Sequence, residues 1–399
     1  MERRRLRILF AAPAWWPAVA FGGPIPVTRE LSERLAARGN AIEVVTSGLV
    51  DLHRRPLAHT STKTLGAVRV HYLATPISYR WMGITPTLPA VLERLERPDI
   101  VHVLGFRDVV STTVAAWARL RGVPYVFEPL GMFRPRLRKV ALKRGLDATL
   151  YRGVAGGAAA VVASSEREAR DIVAGGIPTA LVHVRGNGFP DPDTMPAARG
   201  VLRDELGIRP DAPIVLYVGR IASGKGIEHL LAATRALLET QLVLVGPDDR
   251  HGAIDAVRAA QRDPATAGRV HALGATAEPP LHLYAEADVL CLPSAGESFG
   301  MAAAEAAAAG TPVVLSDRCG IAGCFREGEA LVVPYEERAV TEALRQVLTD
   351  PALRRSLSEG GVAAARRTSW ARVTDLQEEI YRAAIASRHA ATSASTDGS

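Results

Sequence analysis

The stretch Ile214–Ile227 reads IVLYVGRIASGKGI: an apolar run, a glycine-rich turn and the start of a new periodic segment. The run Ile214–Gly219 has the length and the β-branched and aromatic content of a strand that is buried on both faces. Ile227–Leu238 then has the apolar spacing of a helix. Because a buried strand that turns directly into a helix is the repeating unit of parallel α/β folds, the stretch predicts that fold class.

The same unit recurs on both sides of this stretch. Further strands are predicted at Leu6–Ala11, Ala41–Thr46, Val68–Leu73, Ile100–Leu104, Tyr125–Glu128, Val161–Ala163, Leu181–Val184, Leu242–Val245, Val270–Ala272, Val289–Leu292, Pro312–Leu315 and Ala330–Val333. The series is interrupted by residues 185–196, RGNGFPDPDTMP, which have three prolines and no periodicity and are predicted to be a linker. We therefore expect two Rossmann-like parallel-sheet domains, at residues 1–190 and 191–370, then a helix over 371–388 and a disordered tail over 389–399.

Composition narrows the class of protein. The chain has 399 residues, 48% hydrophobic and 23% charged, which is typical of a globular protein. Three cysteines, at positions 291, 319 and 324, are too few for a disulfide framework and complete no zinc site. There is no apolar run of about 18 residues that could span a membrane. Arg3–Arg5 before an apolar stretch could open a signal peptide, but Arg7, Pro13 and Pro17 favour a buried first strand. We expect a cytoplasmic protein.

The turn after the first strand of the second half has residues suited to a diphosphate. Gly219, Gly224 and Gly226 allow a ligand to approach the backbone closely. Lys225 stands at a predicted helix start, where its ammonium and the helix amides can face one anion, and Arg220 offers a fork for phosphate oxygens. The segment is not a Walker A loop. The alternative is a surface turn with solvated charges.

Two glutamates are separated by seven residues near a second helix start. Glu297 follows a predicted strand, and Glu305 lies two turns into a helix whose next residues, 306–309, are all alanine. Carboxylates accept hydrogen bonds from pairs of sugar hydroxyls, and the amides of 298–300 could hold an anion. The alternative is that Glu297 caps its own helix and Glu305 is solvated. The small apolar residues beside Glu305 favour a binding role.

Together these residues carry a resemblance to a known family. Gly22-Gly23 before the first helix, Gly39 after it, Val218–Arg220 with Lys225-Gly226, and the Glu297/Glu305 pair follow the same order as in family 4 glycosyltransferases. The chain resembles that family over nearly its whole length, which implies a GT-B fold, with two Rossmann-like domains facing across a cleft. A loop that reads Pro129-Leu130-Gly131, where many relatives have His-Gly, departs from the pattern.

The resemblance implies roles for individual residues. The second domain would bind a nucleotide sugar, with Arg220, Lys225 and Glu297 as catalytic residues: the two cations on the diphosphate and Glu297 on the donor sugar. Glu305 would hold the ribose. The complete implied donor set is Gly22, Gly23, Gly219, Gly274, Ala275, Thr276, Ser298, Phe299, Gly300 and Glu305. The helix that follows Trp370 would pack back onto the first domain, which would bind the acceptor.

The implied reaction is retaining hexosyl transfer without a cofactor or an essential metal. The donor would be a nucleoside diphosphate sugar, UDP rather than GDP, and the acceptor a hydroxyl of a glycan, a glycolipid or a small natural product. A sugar-nucleotide epimerase of the same fold and a non-catalytic sugar-nucleotide binding protein are the alternatives. The sequence leaves the oligomeric state open.

Charge is distributed unevenly between the two halves. Residues 1–190 have 27 basic and 14 acidic residues, whereas residues 191–399 have 21 and 28. The segment 131–144, GMFRPRLRKVALKR, has six basic residues and no acidic one. It could contact the inner membrane face or an anionic, lipid-linked or small-molecule acceptor, or be a solvated helix. No nucleic-acid motif accompanies the charge. The acceptor-side candidates are His102, Glu128, Arg134 and Arg136, although a lone histidine in an apolar strand is more often a core residue.

Overall fold

A computed structural model of the chain describes residues 4–19, 22–50, 55–79, 82–133, 152–197, 200–249, 252–276 and 280–396. The chain divides into two compact units. Unit 1 comprises Met1–Arg185 and Val373–Ser399, and unit 2 comprises Gly186–Arg372. The first boundary lies at the start of the segment predicted as a linker. The second lies near the start of the last helix, so unit 1 is built from two separate pieces of sequence.

The strands of unit 1 are short and mostly buried. They are β1 (Arg7–Ala12), β2 (Ala41–Ser47), β3 (Ser61–Leu65), β4 (Val68–Leu73), β5 (Ile77–Tyr79), β6 (Met82–Ile84), β7 (Ile100–Leu104), β8 (Tyr125–Glu128), β9 (Ala160–Ala163) and β10 (Val182–Val184). Eight of them form one sheet in the order β10-β9-β8-β7-β1-β2-β4-β3, and β5 pairs with β6 in a separate antiparallel ribbon. Within the eight-stranded sheet β3 runs antiparallel to β4, and the other neighbouring pairs are parallel.

Unit 2 has a six-stranded parallel sheet. Its strands are β11 (Ile214–Val218), β12 (Gln241–Val245), β13 (Val270–Gly274), β14 (Val289–Leu292), β15 (Val313–Ser316) and β16 (Leu331–Val333). Their order is β13-β12-β11-β14-β15-β16. The chain therefore moves outward from β11 through β12 to β13, and then returns to place β14 on the other side of β11. This reversal leaves a crevice at the carboxyl ends of β11 and β14, where open α/β sheets bind their ligands.

Helices connect the strands in both units. They are α1 (Pro24–Ala37), α2 (Leu88–Leu92), α3 (Val109–Leu120), α4 (Arg152–Gly156), α5 (Glu166–Ala174), α6 (Val201–Leu206), α7 (Ile227–Ala236), α8 (Ala253–Arg262), α9 (Leu281–Glu286), α10 (Met301–Ala308), α11 (Glu337–Thr349), α12 (Pro351–Arg367) and α13 (Trp370–Thr396). The local sequence explains where two of these helices begin. Asp108 caps α3 by accepting a hydrogen bond from the Ser111 amide, and Ser165 caps α5 in the same way.

The structure confirms the predicted α/β class with parallel sheets, but several local features differ from the sequence-based expectation, among them the unpredicted β5–β6 ribbon. The antiparallel edge strand β3 was not predicted, because its sequence STKTL is largely polar and exposed and gives no apolar run. The residues 389–396, predicted to be part of a disordered tail, continue α13. Within the described residues no helix has the length and apolar character needed to cross a bilayer.

Candidate functional site

Two loops meet at the crevice in the sheet of unit 2. The first connects β11 to α7 and contains Arg220 and Lys225, and the second connects β14 to α10 and contains Glu297. The loops are joined by a backbone hydrogen bond from the Ala295 amide to the Gly224 carbonyl, 2.8 Å long. The sheet topology therefore brings together the two sequence motifs that stand more than seventy residues apart in the chain.

Glycine is required in the first loop by both conformation and contact. Gly226 has a φ of +73° and precedes α7, and a Cβ at this position would lie 1.9 Å from the Pro293 carbonyl oxygen. Gly219 has a φ of +155°, and a Cβ there would lie 3.0 Å from the Tyr217 hydroxyl. The Tyr217 hydroxyl donates a 2.8 Å hydrogen bond to the backbone carbonyl of Arg220. Arg220 itself is exposed. The loop is thus held close to the second loop, with Arg220 open to solvent.

Lys225 and Glu297 form an ion pair across the two loops. The side chains are 15% and 24% exposed, so both charges remain accessible at the crevice. The α7 amino terminus adds backbone amides that lack a partner within the helix. An anion at this place could bind Lys225 and the helix amides together. The pair also means that Lys225 has a negative partner before any ligand arrives.

The second loop positions Glu297 and the start of α10. The Gly320 amide donates to the Glu297 carbonyl at 3.0 Å, and the Glu297 amide donates to the Arg318 carbonyl at 3.3 Å. Gly300 caps α10 with a φ of +119°. Its absent Cβ would lie 3.1 Å from Ile321. These contacts fix the backbone from 297 to 300 against the segment after β15.

Glu305 lies half-buried on α10 among alanines that are fully or almost fully buried. The Tyr284 hydroxyl, on α9, donates a 2.5 Å hydrogen bond to its Oε2 atom. Burial raises the pKa of Glu305 to about 7, and the hydrogen bond from Tyr284 opposes that shift. Near neutral pH the carboxyl group is therefore poised between its protonated and ionised forms.

The other predicted donor residues occupy several places. Gly274 ends β13, and its carbonyl accepts a 2.7 Å hydrogen bond from the Gly246 amide. Ala275 and Thr276 follow it and are exposed at the same edge of the sheet. Ser298 is half-buried, whereas Phe299 is buried and packs edge-to-face on Phe189, so only its backbone is available to a ligand. In unit 1, Gly22 and Gly23 precede α1, and a Cβ on Gly23 would meet no atom within 4 Å.

Two predicted acceptor-side residues, His102 and Glu128, lie in the core of unit 1. Both are 0% exposed. Arg185 binds the Glu128 carboxylate through two 2.8–2.9 Å hydrogen bonds, and His102 Nε2 lies 3.1 Å from Glu128 Oε2. His102 Nδ1 lies 2.6 Å from the Tyr381 hydroxyl on α13. A side chain without exposed surface cannot contact an acceptor, so the structure assigns both residues to a buried polar network instead.

Burial and ion pairing determine which groups of this network are charged. Burial lowers the pKa of His102, which favours the neutral ring. Burial alone would raise the pKa of Glu128, but the Arg185 charge and the hydrogen bond with His102 outweigh it and lower that pKa. The network therefore holds an ionised Glu128–Arg185 pair beside a neutral histidine.

The remaining acceptor-side predictions fall on other segments. Arg134 and Arg136, with most of the basic segment 131–144, lie outside the described residues. Two tryptophans also follow β1: Trp15 is 1% exposed and belongs to the core, whereas Trp16 is half-buried and its ring lies 4.3 Å from the guanidinium of Arg29.

Sequence reasoning missed two tyrosines that organise this site. Tyr217 and Tyr284 are both 0% exposed, and their hydroxyl groups bond the Arg220 carbonyl and the Glu305 carboxylate. Tyr217 belongs to the apolar run of β11 and carries no separate signal in the sequence. Tyr284 stands 21 residues before Glu305, and only the fold brings the two together.

Comparisons with known proteins agree with this arrangement. The family described as Glycosyl transferase 4-like domain matches residues 22–188, and the family Glycosyl transferases group 1 matches residues 199–363. The D-inositol 3-phosphate glycosyltransferase of Xylanimonas cellulosilytica is 30% identical over 402 residues, which cover 92% of this chain and 93% of the relative. The enzyme of the same name from Acidothermus cellulolyticus is 29% identical and covers 93% and 87%.

Solved structures share the fold at lower identity. Sucrose-phosphate synthase from Thermosynechococcus elongatus has a TM-score of 0.74 at 24% identity and covers 96% of this chain and all of its own. HepE from Anabaena, solved in complex with UDP-glucose, has a TM-score of 0.72 at 18% identity and covers 94% and 99%. The family matches to both halves of the chain, the similar relatives and the shared fold lead to the same conclusion. The chain belongs to the family 4 glycosyltransferases, enzymes of the GT-B fold that use nucleotide sugars.

Proposed function

We propose that this glycosyltransferase moves a hexosyl group from a UDP-sugar to an acceptor hydroxyl with retention of configuration and without an essential metal. The observation that carries the proposal is the meeting of Lys225 and Glu297 at the crevice between β11 and β14. A cation, a helix amino terminus and a carboxylate lie there together, which suits a diphosphate joined to a sugar. The choice of UDP is supported by the related fold of HepE, which was solved with UDP and with UDP-glucose.

In this proposal each loop takes a different part of the donor. Arg220 and Lys225 bind the diphosphate together with the α7 amides, and Glu305 accepts hydrogen bonds from the ribose hydroxyls. Glu297 and the backbone of 298–300 hold the hexose. The incoming diphosphate replaces Glu297 as the partner of Lys225, which frees the carboxylate for sugar hydroxyls. Gly22 and Gly23 remain predicted donor contacts from unit 1.

The proposed chemistry moves one bond and one proton. The bond between the anomeric carbon and the diphosphate oxygen breaks, and the sugar passes through an oxocarbenium-like state. The acceptor oxygen bonds the anomeric carbon on the same face, and its proton goes to the departing phosphate oxygen. Arg220, Lys225 and the helix amides stabilise the negative charge that develops on the leaving diphosphate.

For the acceptor we propose a molecule that carries a phosphate beside its reacting hydroxyl. The named relatives act on D-inositol 3-phosphate. The strongly basic first half of the sequence, with 27 basic and 14 acidic residues over 1–190, is consistent with an anionic acceptor. Contact of the segment 131–144 with a cytoplasmic membrane face stays a prediction.

The decisive experiment is a thermal-shift screen over UDP-, GDP-, ADP- and TDP-sugars, followed by turnover with D-inositol 3-phosphate. A donor at about 100 times its Kd stabilises the folded protein by about 2.7 kcal/mol, which is easily seen as a rise in Tm. The product anomer, read by NMR, tests retention, and an excess of EDTA tests the metal. Incubation with donor alone separates transfer from epimerisation.

Substitutions at the crevice test whether the Tm rise comes from donor binding at this place. Arg220→Ala and Lys225→Ala should abolish the Tm rise with the best donor, whereas Arg258→Ala, an exposed arginine on α8, should leave it intact. If no nucleotide sugar raises the Tm, or if turnover survives unchanged in both crevice variants, the proposed function is wrong.

A further inference from the structure

The carboxylate of Glu305 has a dedicated donor within the described structure. The Tyr284 hydroxyl lies 2.5 Å from Oε2. Glu305 itself sits among buried alanines of α10, which offer no hydrogen bonds from their side chains. One carboxylate oxygen is therefore oriented by Tyr284, while the other keeps its acceptor capacity.

Tyr284 is held rigidly enough to impose that orientation. It is 0% exposed. Its own carbonyl accepts a 2.6 Å hydrogen bond from the Thr311 hydroxyl and a 3.1 Å hydrogen bond from the Ala287 amide. Because ring and backbone are both fixed, the hydroxyl has a defined direction, and that direction is toward Glu305.

A ribose diol needs an ionised carboxylate. An ionised carboxyl group only accepts hydrogen bonds, whereas a protonated one has lost part of that capacity and has gained a donor. Burial raises the pKa of Glu305 to about 7, and the tyrosine hydrogen bond favours the ionised form. The donor of this hydrogen bond thus also affects how much of the acceptor form is present at neutral pH.

Other charges near α10 are engaged elsewhere or face solvent. The elements that pack against it are chiefly α12, α9, β14, β15 and the turn Gly320–Cys324. On α12, Arg354 pairs with Asp288, Arg366 with Asp193 and Arg367 with Glu329, while Arg355 and Glu359 are exposed. On α9, Glu286 accepts from the Leu202 amide and His282 is exposed. Burial keeps Cys291 and Cys324 protonated by raising the pKa of each thiol.

We propose that Tyr284 is a positioning residue for the donor: it orients the Glu305 carboxylate as an acceptor for ribose hydroxyls and makes nucleotide binding depend on pH through this pair. The inference rests on the proposed function, because it assumes that Glu305 binds the ribose. It goes further by naming a residue that contacts no substrate and by predicting how binding changes with pH.

The direction in which nucleotide binding changes with pH follows from the protonated and ionised forms of Glu305. Nucleotide binding is strong above the pKa of Glu305, where the group is ionised, and weakens as the pH falls through it. Tyr284→Phe removes a hydrogen bond to the ionised form and so raises that pKa further. The pH at which binding is half lost should move upward. At neutral pH the Kd should rise on the order of tenfold, and the difference should narrow near about pH 9.

The experiment measures Kd by calorimetry for UDP, UDP-glucose and 2′,3′-dideoxy-UDP from about pH 6 to pH 9, on the full chain. Wild type should bind UDP better than the dideoxy form, and this preference should weaken at low pH. Tyr284→Phe should shift the profile upward. Glu305→Gln should remove the pH dependence and most of the preference. Tyr125→Phe is the matched control, since it removes another buried hydroxyl, which bonds the Val154 carbonyl in unit 1.

The outcomes separate the two proposals. If wild type binds none of the uridine nucleotides, the proposed donor is wrong and this inference is wrong with it. If wild type binds them and Tyr284→Phe leaves the pH profile unchanged, only the role of Tyr284 is wrong. Should Tyr284→Phe fail to fold, 3-fluorotyrosine at position 284 keeps the shape and strengthens the donated hydrogen bond. It should shift the profile downward, and an unshifted profile would contradict the inference.

Discussion

At the scale of single residues, Lys225 differs from an ordinary surface lysine because it is mostly buried and already paired. Its partner Glu297 stands on a different loop, and both are partly accessible at the crevice. A ligand with a strong negative charge must compete with Glu297 for the ammonium. In the proposed binding mode, donor binding therefore costs the existing ion pair, and removal of either residue alone changes the charge that the other presents.

This coupling predicts non-additive effects of substitution. Lys225→Ala removes the cation and leaves Glu297 to repel the diphosphate, so kcat/KM should fall about hundredfold or more. Adding Glu297→Gln to Lys225→Ala should recover part of the nucleotide affinity, because the repulsion is removed. A double-mutant cycle of UDP-sugar Kd values checks this. Strictly additive effects would show that the two side chains do not act on the same ligand group.

A second prediction at this scale concerns Gly226. An alanine there would have both a left-handed backbone and a Cβ 1.9 Å from the Pro293 carbonyl oxygen. We expect Gly226→Ala to lower the free energy of unfolding by about 2–4 kcal/mol. Gly224→Ala is the control: its φ is +78°, but its Cβ would meet only Ala295 at 3.8 Å. Urea unfolding of both variants gives the comparison, and equal losses would show that the Pro293 contact is unimportant.

At the scale of elements, the last helix is held to unit 1 by polar contacts in an otherwise apolar setting. Gln377 accepts a 2.8 Å hydrogen bond from Arg185, and Glu378 accepts one of 3.0 Å from Asn40. All four side chains are buried. Such contacts are costly to break, because each would leave a polar group without a partner in a low-dielectric interior.

Arg185 should therefore be essential for stability. Arg185→Met removes the charge partner of Glu128 and the donor to Gln377, and we expect a loss of about 3–5 kcal/mol in the free energy of unfolding. Arg345→Met, which breaks an exposed pair with Glu342 on α11, should have little effect. Chemical denaturation of the two variants tests the contrast. A small loss in Arg185→Met would mean that Glu128 protonates at little cost.

Asp108, which caps α3, should make the folded protein less stable as the pH rises, which is the opposite of the effect of an ion-paired surface carboxylate. Burial raises the pKa of Asp108 to about 6, although hydrogen bonds from Ser111 oppose the shift. The folded protein thus prefers the protonated form, and ionisation destabilises it as the pH rises from about 4 to about 6. Asp108→Asn keeps a cap and cannot ionise, so it should remove this slope. Asp350→Asn, at the exposed cap of α12, should leave it. The test is the Tm of wild type and of both variants from about pH 4 to about pH 6. An unchanged pH dependence of Tm in Asp108→Asn would contradict the prediction.

The sequence predicted the elements best where periodicity is strong. β4, β7, β8 and β14 begin and end as expected, because each is a short stretch rich in β-branched, leucine or aromatic residues. β3 was missed because its pairing with β4 decides its conformation, while its own residues are polar. Strand order within a sheet is likewise set by long-range pairing, which no local pattern records.

At the scale of the whole molecule, the site could be predicted only in part. Glycines and charges at strand ends pointed to Arg220, Lys225 and Glu297, since loops after parallel strands gather at one edge of a sheet. The same reasoning offered His102 and Glu128, which also stand in or at the end of strands. Their burial depends on Arg185 and Tyr381, which are distant in sequence, and a strand pattern cannot reveal such partners.

The division into units predicts how truncation acts. A stop after Arg372 removes every residue that α13 contributes to unit 1, including Gln377, Glu378 and Tyr381. Unit 1 should lose its cooperative melting transition, while unit 2 keeps its sheet and its own transition. Calorimetry of the shortened protein beside the full chain tests this. Retention of both transitions would show that α13 is dispensable for unit 1.

The split origin of unit 1 has a consequence for biosynthesis. When the ribosome has finished residue 185, Arg185 and Glu128 already exist, but the residues of α13 that cover them are still nearly two hundred codons away. Unit 2 is continuous in sequence and can complete its own sheet first. Unit 1 would then begin to be made before unit 2 but finish folding after it, and the surface around Arg185 would stay open to chaperone binding until translation reaches α13.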